Sequence, residues 1–291
     1  MEPFVIRERK GQLTLLELEA WTRHFPKLTA GFTSRLGGIS EAPFGTLNCG
    51  LHVMDNEQHV VMNRRLIADA IDQPFEQFTF AEQVHGCDVQ VVTAEEAGKG
   101  KDSREHAIQA KDAMITNVPG AILCTQYADC VPLFFYDPVN KAAGLAHAGW
   151  KGTVLKISMA TISSMTHTFG SKPADIRAVI GPSIGVCCYE VDETVAQRVK
   201  ACLEETKVSS EAAALVLISK ENGKYMLNLQ ELNRILINQA GILSSHIEVT
   251  QLCTSCRTDL FFSHRKEGGA TGRMIAWIGL KDEGDSRDGL N

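Results

Sequence analysis

The chain has 291 residues, of which 44% are hydrophobic and 22% charged, and a formal net charge of -6. This balance is typical of a globular protein with one large or two ordinary domains and a sizeable core. The mild charge and the lack of a long basic run exclude the electrostatic footprint of a nucleic-acid-binding protein, so we expect no nucleic acid partner. The N-terminal segment does not resemble a signal peptide, and no apolar stretch reaches the about 18 residues of a membrane span, so we expect a cytoplasmic protein without a membrane partner.

Strands dominate the predicted elements, and single helices are interspersed among them. Strands are predicted at residues 4–9, 13–17, 29–34, 78–84, 88–92, 112–116, 121–128, 131–136, 142–148, 176–180, 213–218, 225–229, 247–250 and 273–280. Helices are predicted at residues 57–71, 154–169, 194–203 and 229–240. Because strands often follow strands directly, this order favours an α+β fold with mixed sheets over a doubly wound fold.

The chain shows no tandem repeat and no linker rich in Pro, Gly or Ser, so we expect a single domain over residues 1–291 with a frayed tail at 282–291. A glycine-dense loop at 35–50 is long enough to be functional, although a flexible surface connection explains it equally well. In the helix predicted at 154–169, Thr153 is the expected N-cap and Gly170 the expected C-terminal stop.

The central stretch, residues 124–153, contains two apolar runs that meet at an Asp-Pro-Val-Asn turn. If this turn is a four-residue hairpin loop, Tyr136 faces Lys141 and Cys130 lies directly opposite His147. Opposite residues on paired strands have Cβ atoms about 5 Å apart on one face of the sheet. A five-residue loop would shift the pairing by one residue and turn the two side chains to opposite faces.

Three residues in and before this stretch, His85, Cys130 and His147, are candidates for chemistry. A lone histidine is more often a structural residue than a ligand, and a free cysteine usually packs as a small hydrophobe. If the three side chains converge, two imidazoles and a thiolate suit a catalytic zinc site, which keeps one coordination position for water or substrate. Without a metal, Cys130 and His147 could act instead as nucleophile and base.

Residues 148–153, with the sequence AGWKGT, lead from the strand of His147 into the predicted helix. Small residues let backbone amides point at a ligand, and a helix N-terminus with Lys151 favours an anion such as phosphate. The GxxxxGK[ST] spacing of a phosphate-binding loop is absent, so an ordinary turn with a helix cap is the alternative.

The nine cysteines are an odd number and favour buried thiols or metal ligands over a disulfide framework. Cys253 and Cys256 form a CxxC pair, and a structural zinc would need two further ligands, which Cys187 and Cys188 could supply. Adjacent cysteines rarely match zinc-ligand spacing, so structural thiols are the favoured interpretation. The cluster FFSHR at 261–265 fits either a pocket rim or a surface turn.

Motifs along nearly the whole chain together resemble the YfiH-like, laccase-domain family. They are RLGGIS at 35–40, LNCG at 47–50, NRR at 63–65, EQVHG at 82–86, ADCVPL at 128–133, GLAHAGWKGT at 144–153, IGPSIGVCCYEV at 180–191, CTSC at 253–256, FFSHR at 261–265 and TGRM at 271–274. The visible departures are conservative, such as Lys151 where many relatives carry Arg.

The resemblance implies an α+β fold similar to cytotoxic necrotizing factor catalytic domains and a single zinc site made by His85, Cys130 and His147. It also implies phosphorolysis of adenosine, inosine and S-methyl-5'-thioadenosine to the free base and a ribose 1-phosphate sugar, with adenosine deamination beside it. Purine nucleosides and inorganic phosphate are then the expected partners. Members of the family have also been called polyphenol oxidases or laccases.

The laccase label can be compared with the composition. A trinuclear copper cluster needs many histidines, normally in His-x-His pairs, and the nine histidines of this chain include no such pair. We therefore expect no four-copper oxidase. A single Cu²⁺ could still occupy the His-Cys-His site and support weak oxidase activity, because Cu²⁺ exceeds Zn²⁺ in the affinity order.

For phosphorolysis, we expect phosphate to lie between the glycine-dense loop and the turn before the predicted helix. The residues in question are Arg35, Gly37, Gly38, Lys151, Gly152 and Thr153. A metal-free Cys-His hydrolase and a non-catalytic nucleoside or metal sensor remain as alternatives. We expect a monomer or a homodimer.

Overall fold

The mixed α+β fold is confirmed by a computed structural model that describes residues 1–282. Its strands are β1 (Val5–Arg9), β2 (Leu13–Glu17), β3 (Leu28–Thr33), β4 (Phe78–Phe80), β5 (Val89–Val91), β6 (Ala113–Thr116), β7 (Ile122–Tyr127), β8 (Val131–Asp137), β9 (Ala142–Ala148), β10 (Arg177–Ile180), β11 (Glu190–Val191), β12 (Leu217–Ser219), β13 (Tyr225–Leu227), β14 (Ile247–Val249) and β15 (Met274–Leu280). Its helices are α1 (Glu19–His24), α2 (Glu57–Ala70), α3 (Trp150–Val154), α4 (Ile157–Phe169), α5 (Glu193–Glu205), α6 (Ser210–Val216) and α7 (Leu229–Gln239).

The strands form two large mixed sheets and one small sheet. The first sheet has the order β1-β2-β3-β15-β7-β4 and the second has the order β14-β10-β8-β9-β6-β5. The small sheet has the order β11-β13-β12. Most neighbours are antiparallel, but β4 with β7, β5 with β6 and β10 with β14 are parallel pairs.

The two large sheets stack face to face, and helices cover their outer faces. In β8, Phe134 and Tyr136 point into the core between the sheets, where they join Phe32 and Ile278 of the first sheet. The alternate residues of β8, such as Phe135, belong to the core that α4 and α7 close on the other side. Helix α2 covers the outer face of the first sheet. Because both faces of β8 and β9 are buried, their sequences read as continuous apolar runs.

The register of the central hairpin differs from the predicted one. Asp137 pairs with Ala142, and His147 lies opposite Pro132 rather than opposite Cys130. β8 continues one residue further than expected, and β9 pairs from Ala142 instead of Lys141. The four-residue loop is therefore shifted by one residue along the chain, and the pairing is displaced by two residues. Because side chains alternate with a period of two, this even displacement keeps Cys130 and His147 on the same face.

The helix predicted at 154–169 with Thr153 as its N-cap is two helices, α3 and α4. Lys156, with a φ of 63°, adopts the left-handed conformation between them and interrupts the helix. Thr153 is therefore not a cap: it is buried within α3, where its hydroxyl accepts a hydrogen bond from Asn233 at 3.0 Å. Gly170, with a φ of 71°, ends α4 as predicted.

Two other predicted strands were wrong in type or length. Most of the strand predicted at 213–218 is helix α6, because Ser209 caps it by accepting from the amide of Ala212 and the alanines that follow favour a helix. The strand predicted at 78–84 ends at Phe80. The predicted tail at 282–291 lies outside the described residues except for Asp282.

Two connections carry the chain from the first sheet to the second. The loop from β4 to β5 contains His85, and the short link from β7 to β8 contains Cys130. His147 lies near the end of β9, in the second sheet. Among residues 1–282, no helix has both the length and the apolar character needed to span a bilayer.

Candidate metal centre

The side chains of His85, Cys130 and His147 converge at one end of the stacked sheets. Their potential ligand atoms all lie within 4.8 Å of one another. The Cys130 Sγ lies 3.9 Å from Nε2 of His85, and the rings of His85 and His147 meet edge to face with centroids 4.8 Å apart. His147 is buried, Cys130 is half-buried and His85 is exposed, so the cluster opens to solvent on one side.

The backbone around His85 is held in an uncommon conformation by one buried carboxylate. His85 has a φ of 60°, a left-handed conformation that a non-glycine residue rarely adopts. Asp112, the residue before β6, accepts hydrogen bonds from the amides of Val84, His85 and Gly86 at 3.2, 2.9 and 2.6 Å. These three bonds fix the loop and direct the His85 ring toward Cys130.

The same carboxylate orients the second imidazole. Oδ1 of Asp112 lies 2.9 Å from Nδ1 of His147, and both side chains are buried. An Nδ1–H that donates to a carboxylate leaves Nε2 as the free electron-pair donor of the ring, as in carboxylate-histidine-metal arrangements. Asp112 was not singled out in the sequence, because an aspartate at the start of a strand carries no local sign of this role.

The space between the three side chains depends on Gly149, the residue before α3. A Cβ at this position would lie 2.9 Å from Cδ2 of His85 and 3.0 Å from Sγ of Cys130. Any larger residue would therefore displace two of the three side chains. Gly149 is the residue that lets the end of β9 approach the cluster this closely.

The electrostatics of the cluster favour a thiolate. Burial raises the pKa of the Cys130 thiol, but the imidazoles of His147 and His85 outweigh that effect and leave the pKa below its ordinary value. Burial lowers the pKa of His147, but Cys130 and Asp112 outweigh it and leave the pKa raised. Without a metal, Cys130 and His147 therefore form a thiolate-imidazolium pair. A thiolate and two oriented imidazoles are also a suitable donor set for zinc, with one position left open.

Two clefts meet at the cluster. One has a volume of about 320 Å³ and is lined by His85, Ala128, Asp129, Cys130, Gly149, Trp150, Lys151, Ile184, Tyr189, Leu229, His264 and Arg265. The other, of about 390 Å³, is lined by His52, Ala81, Glu82, Gln83, His85, Arg104, Gln126, Ala128, Cys130, His147, His264 and Arg273. Both volumes fall in the range of small-molecule sites. Both clefts combine apolar and polar walls.

Of the six residues predicted to hold phosphate, only Lys151 lines a cleft at the cluster. Arg35 donates to the carbonyl of Thr258 and pairs with Glu267 at 2.9 Å, so its guanidinium is used within the fold. Gly37 and Gly38 approach neighbouring backbone so closely that a Cβ would lie 2.4 Å from the carbonyl oxygen of Gln12 and 2.3 Å from that of Thr46. Gly152 and Thr153 are buried within α3.

Other residues of the clefts were only partly foreseen. The FFSHR cluster forms a pocket rim, since His264 lines both clefts and Arg265 lines the first. Tyr189 and Ile184 come from the loop after β10, which no sequence argument placed near Cys130. They arrive there because Ile184 donates its amide to the carbonyl of Asp129 at 2.9 Å.

Comparison with known proteins places these residues in a family context. Residues 29–281 match the family described as multi-copper polyphenol oxidoreductase laccase. The chain is 44% identical over 256 residues to purine nucleoside phosphorylase YlmD of Bacillus subtilis, covering 88% of this chain and 90% of that protein. It is 34% identical over 259 residues to purine nucleoside phosphorylase LACC1 of Homo sapiens, covering 87% of this chain and 55% of that protein.

Solved structures show the same fold. The crystal structure of YlmD from Geobacillus stearothermophilus is 39% identical and superimposes with a TM-score of 0.89, covering 97% of this chain and all of that one. The crystal structure of the Bacillus licheniformis hypothetical protein YfiH is 43% identical, with a TM-score of 0.87 over 95% of this chain and 99% of that one.

Proposed function

This chain belongs to the multi-copper polyphenol oxidoreductase laccase family, and proteins similar to it are named purine nucleoside phosphorylase. We therefore propose that it is a zinc-dependent purine nucleoside phosphorylase. The observation that carries the proposal is the convergence of His85, Cys130 and His147 where two clefts meet. Each of these clefts is large enough for a small molecule.

The proposed substrates are adenosine, inosine and S-methyl-5'-thioadenosine, each cleaved by inorganic phosphate to the free base and a ribose 1-phosphate sugar. Adenosine deamination is a proposed side activity at the same centre. We propose that residues 1–291 form one catalytic domain that works in the cytoplasm as a monomer or homodimer.

The first cleft is the proposed nucleoside site. Trp150, Tyr189 and Leu229 supply aromatic and apolar walls against which a purine base can stack. Lys151 and Arg265 lie on the rim of the same cleft and are the proposed ligands of the phosphate. They are both exposed, so phosphate can enter from solvent.

In phosphorolysis, a phosphate oxygen forms a bond to the anomeric carbon while the bond from that carbon to the purine nitrogen breaks, and the base leaves with a proton. Lys151 and Arg265 would hold the attacking anion, and His264, which lines both clefts, is placed to donate the proton. Asp112 would keep the ring of His147 in its Nδ1–H tautomer. A divalent ion, when bound, supplies Lewis acidity for charge developing on the substrate and, for deamination, lowers the pKa of water.

The oxidase chemistry in the family's description fits this chain poorly. Among residues 1–282, the groups able to hold a metal are the His85-Cys130-His147 cluster and a cluster of four cysteines. Neither contains the many imidazoles of a multi-copper centre. Any copper-dependent polyphenol oxidation is therefore proposed as a weak activity of one ion at the His-Cys-His cluster.

The test is metal analysis of the purified protein together with product analysis after incubation with inosine, with and without phosphate. We expect zinc in the protein and hypoxanthine with ribose 1-phosphate only when phosphate is present. His85→Ala, Cys130→Ala and His147→Ala should each abolish both metal binding at the cluster and turnover. His167→Ala, which removes an exposed histidine of α4, is the matched control and should leave both unchanged. Full activity of Cys130→Ala would reject the proposal.

A second candidate function follows from the arrangement of Asp112, His147 and Cys130. A carboxylate that orients an imidazole next to a thiolate is also the arrangement of a thiol hydrolase. That function predicts a covalent intermediate on Cys130, indifference to chelators and no requirement for phosphate. Loss of activity on metal removal, restored by zinc, would exclude it.

A further inference from the structure

Four cysteine side chains from two distant segments meet at a second cluster, and none of them lines either cleft of the His-Cys-His cluster. The sulfur atoms of Cys187, Cys188, Cys253 and Cys256 all lie within 4.8 Å of one another. Sγ of Cys256 lies 3.5 Å from that of Cys187 and 3.4 Å from that of Cys188. Cys187 and Cys188 lie 69 and 68 residues before Cys256. The sequence offered them as possible further zinc ligands of the CxxC pair, but their adjacent positions favoured structural thiols instead.

The spacing between the sulfur atoms is that of a metal site rather than of a disulfide. A disulfide needs sulfur atoms about 2.05 Å apart. Four thiolates around a tetrahedral zinc ion, each at about 2.3 Å, have sulfur atoms about 3.8 Å from one another. The two measured separations, 3.5 and 3.4 Å, are close to the tetrahedral edge and well beyond a covalent bond. Although Cys187 and Cys188 are adjacent in the sequence, the sulfur atoms of both lie close to that of Cys256.

The backbone at Gly185 supplies one amide donor to the cluster and leaves room for its sulfur atoms. The amide of Gly185 donates a hydrogen bond to Sγ of Cys253 at 3.2 Å. A Cβ on Gly185 would lie 3.2 Å from Sγ of Cys187 and 3.5 Å from Sγ of Cys253, so a glycine leaves the room these atoms occupy. Amide donors to sulfur are the usual outer partners of metal-bound thiolates.

We propose that Cys187, Cys188, Cys253 and Cys256 form a tetrathiolate site for a structural zinc ion, separate from the His85-Cys130-His147 cluster. All four positions would be filled by protein sulfur, which is typical of a site that stabilises structure and does not bind substrate. The pair Cys253-x-x-Cys256 has the usual zinc-ligand spacing, and the adjacent pair completes the set.

This ion would stabilise the loop that forms one wall of the proposed nucleoside cleft. The loop before Cys187 carries Ile184, which lines the cleft, and Ser183 of this loop bridges to Cys253. Thr254, next to Cys253, donates to Asp129 at 2.6 Å, and Asp129 directly precedes Cys130. The tetrathiolate site is thus connected through one buried hydrogen bond to the residue beside the catalytic sulfur.

The proposal is tested by counting zinc in the full chain purified under reducing conditions and by measuring zinc-sulfur coordination with X-ray absorption spectroscopy. The wild-type protein should hold one ion at each site, and Cys130→Ala should keep a single ion coordinated by four sulfur atoms. Cys187→Ala/Cys256→Ala should lose that ion and keep the one with mixed nitrogen and sulfur ligands. Cys202→Ala, which removes a buried thiol of α5, should keep both ions.

Three results would overturn the proposal. The first is a Cys130→Ala protein without zinc, and the second is a double variant that retains both ions. The third is a disulfide between two of the four cysteines that forms in unreduced wild-type protein and persists when zinc is supplied in excess. Should the double variant fail to fold, the Cys130→Ala protein decides the question, because all four thiols of the cluster are intact in it. Since the two sites are counted separately, failure here leaves the proposed phosphorylase centre untouched.

Discussion

Oδ1 of Asp112 lies 2.9 Å from Nδ1 of His147, and the two carboxylate oxygens of Asp112 also accept hydrogen bonds from the backbone amides of residues 84–86. One buried carboxylate thus positions two of the three candidate ligands. Such outer partners are worth a factor of about 10–100 in metal affinity. We expect Asp112→Asn to weaken zinc binding at the cluster by this factor, because the amide removes the charge that stabilises the Nδ1–H tautomer.

The affinity is measured by competition with a chromophoric chelator. Thermal unfolding of the metal-free variant is the control, since the loop at His85 also loses charge-assisted hydrogen bonds. An unchanged zinc affinity in a folded Asp112→Asn protein would remove Asp112 from the site.

Gly149→Ala tests whether the approach of β9 to the cluster is required. The new methyl group would lie 2.9 Å from Cδ2 of His85, closer than Cβ atoms are found in proteins, and 3.0 Å from Sγ of Cys130, which is an unusually tight contact. We expect loss of metal binding at the His-Cys-His cluster and of phosphorolysis, with a native circular dichroism spectrum, because the clash is local. Wild-type zinc content in this variant would show that the cluster can open without losing its ion.

Alkylation of the metal-free protein tests the charge state of Cys130. Its pKa lies below the ordinary thiol value, so the thiolate is already populated at neutral pH and the alkylation rate should level off there instead of rising through pH 8 to 9. His147→Gln removes the neighbouring cation and should move that plateau to higher pH. Buried Cys49, whose pKa burial raises to about 12, serves as the slow internal reference.

The products are located by peptide mass spectrometry. Zinc should protect Cys130 from the reagent. If Cys130 is alkylated at the same rate in the wild-type protein and in His147→Gln, that result would contradict the thiolate-imidazolium pair.

Lys151→Ala tests the proposed phosphate position. A hydrogen bond to a charged group contributes about 1.5–3 kcal/mol when shielded, and an exposed lysine contributes at the low end of this range. We expect the KM for phosphate to rise about tenfold while the KM for inosine changes less. Lys172→Ala, at an exposed position outside both clefts, is the matched control. Equal effects of the two substitutions on phosphate dependence would exclude Lys151.

Thr254→Val tests the link between the two cysteine-containing regions. Thr254 donates to buried Asp129 at 2.6 Å, and the nearly isosteric valine leaves that carboxylate without one of its donors. We expect the free energy of unfolding in denaturant to fall by about 1.5–3 kcal/mol. Thr168→Val, on the exposed face of α4, should change it by less than about 0.5 kcal/mol. Equal stabilities of the two variants would show that the Thr254 bond contributes nothing.

The hairpin shows what the sequence could and could not predict. Continuous apolar runs identified β8 and β9, but a turn can close at several positions, and the choice of Asp137 and Ala142 as the last pair depends on tertiary packing. The prediction that Cys130 and His147 share a face is consistent with the structure only because the displacement is even. An odd displacement would have separated them.

Some residues of the site could be predicted from local motifs, whereas others could not. His85, Cys130 and His147 stand in recognisable motifs, whereas Asp112 and Tyr189 reach the cluster through pairings that no local pattern specifies. Arg35 was predicted to lie near phosphate together with the glycines of the loop at 35–50. In the structure those glycines allow tight backbone packing, and the guanidinium binds carbonyls and Glu267.

His85 and Cys130 each lie where the backbone leaves the first sheet and enters the second, whereas His147 belongs to the second sheet alone. The three donors can be brought to one point only in chains whose two layers have already docked. Metal affinity and the docking equilibrium are therefore thermodynamically linked, and every increment of ion binding lowers the population of molecules in which the layers are apart.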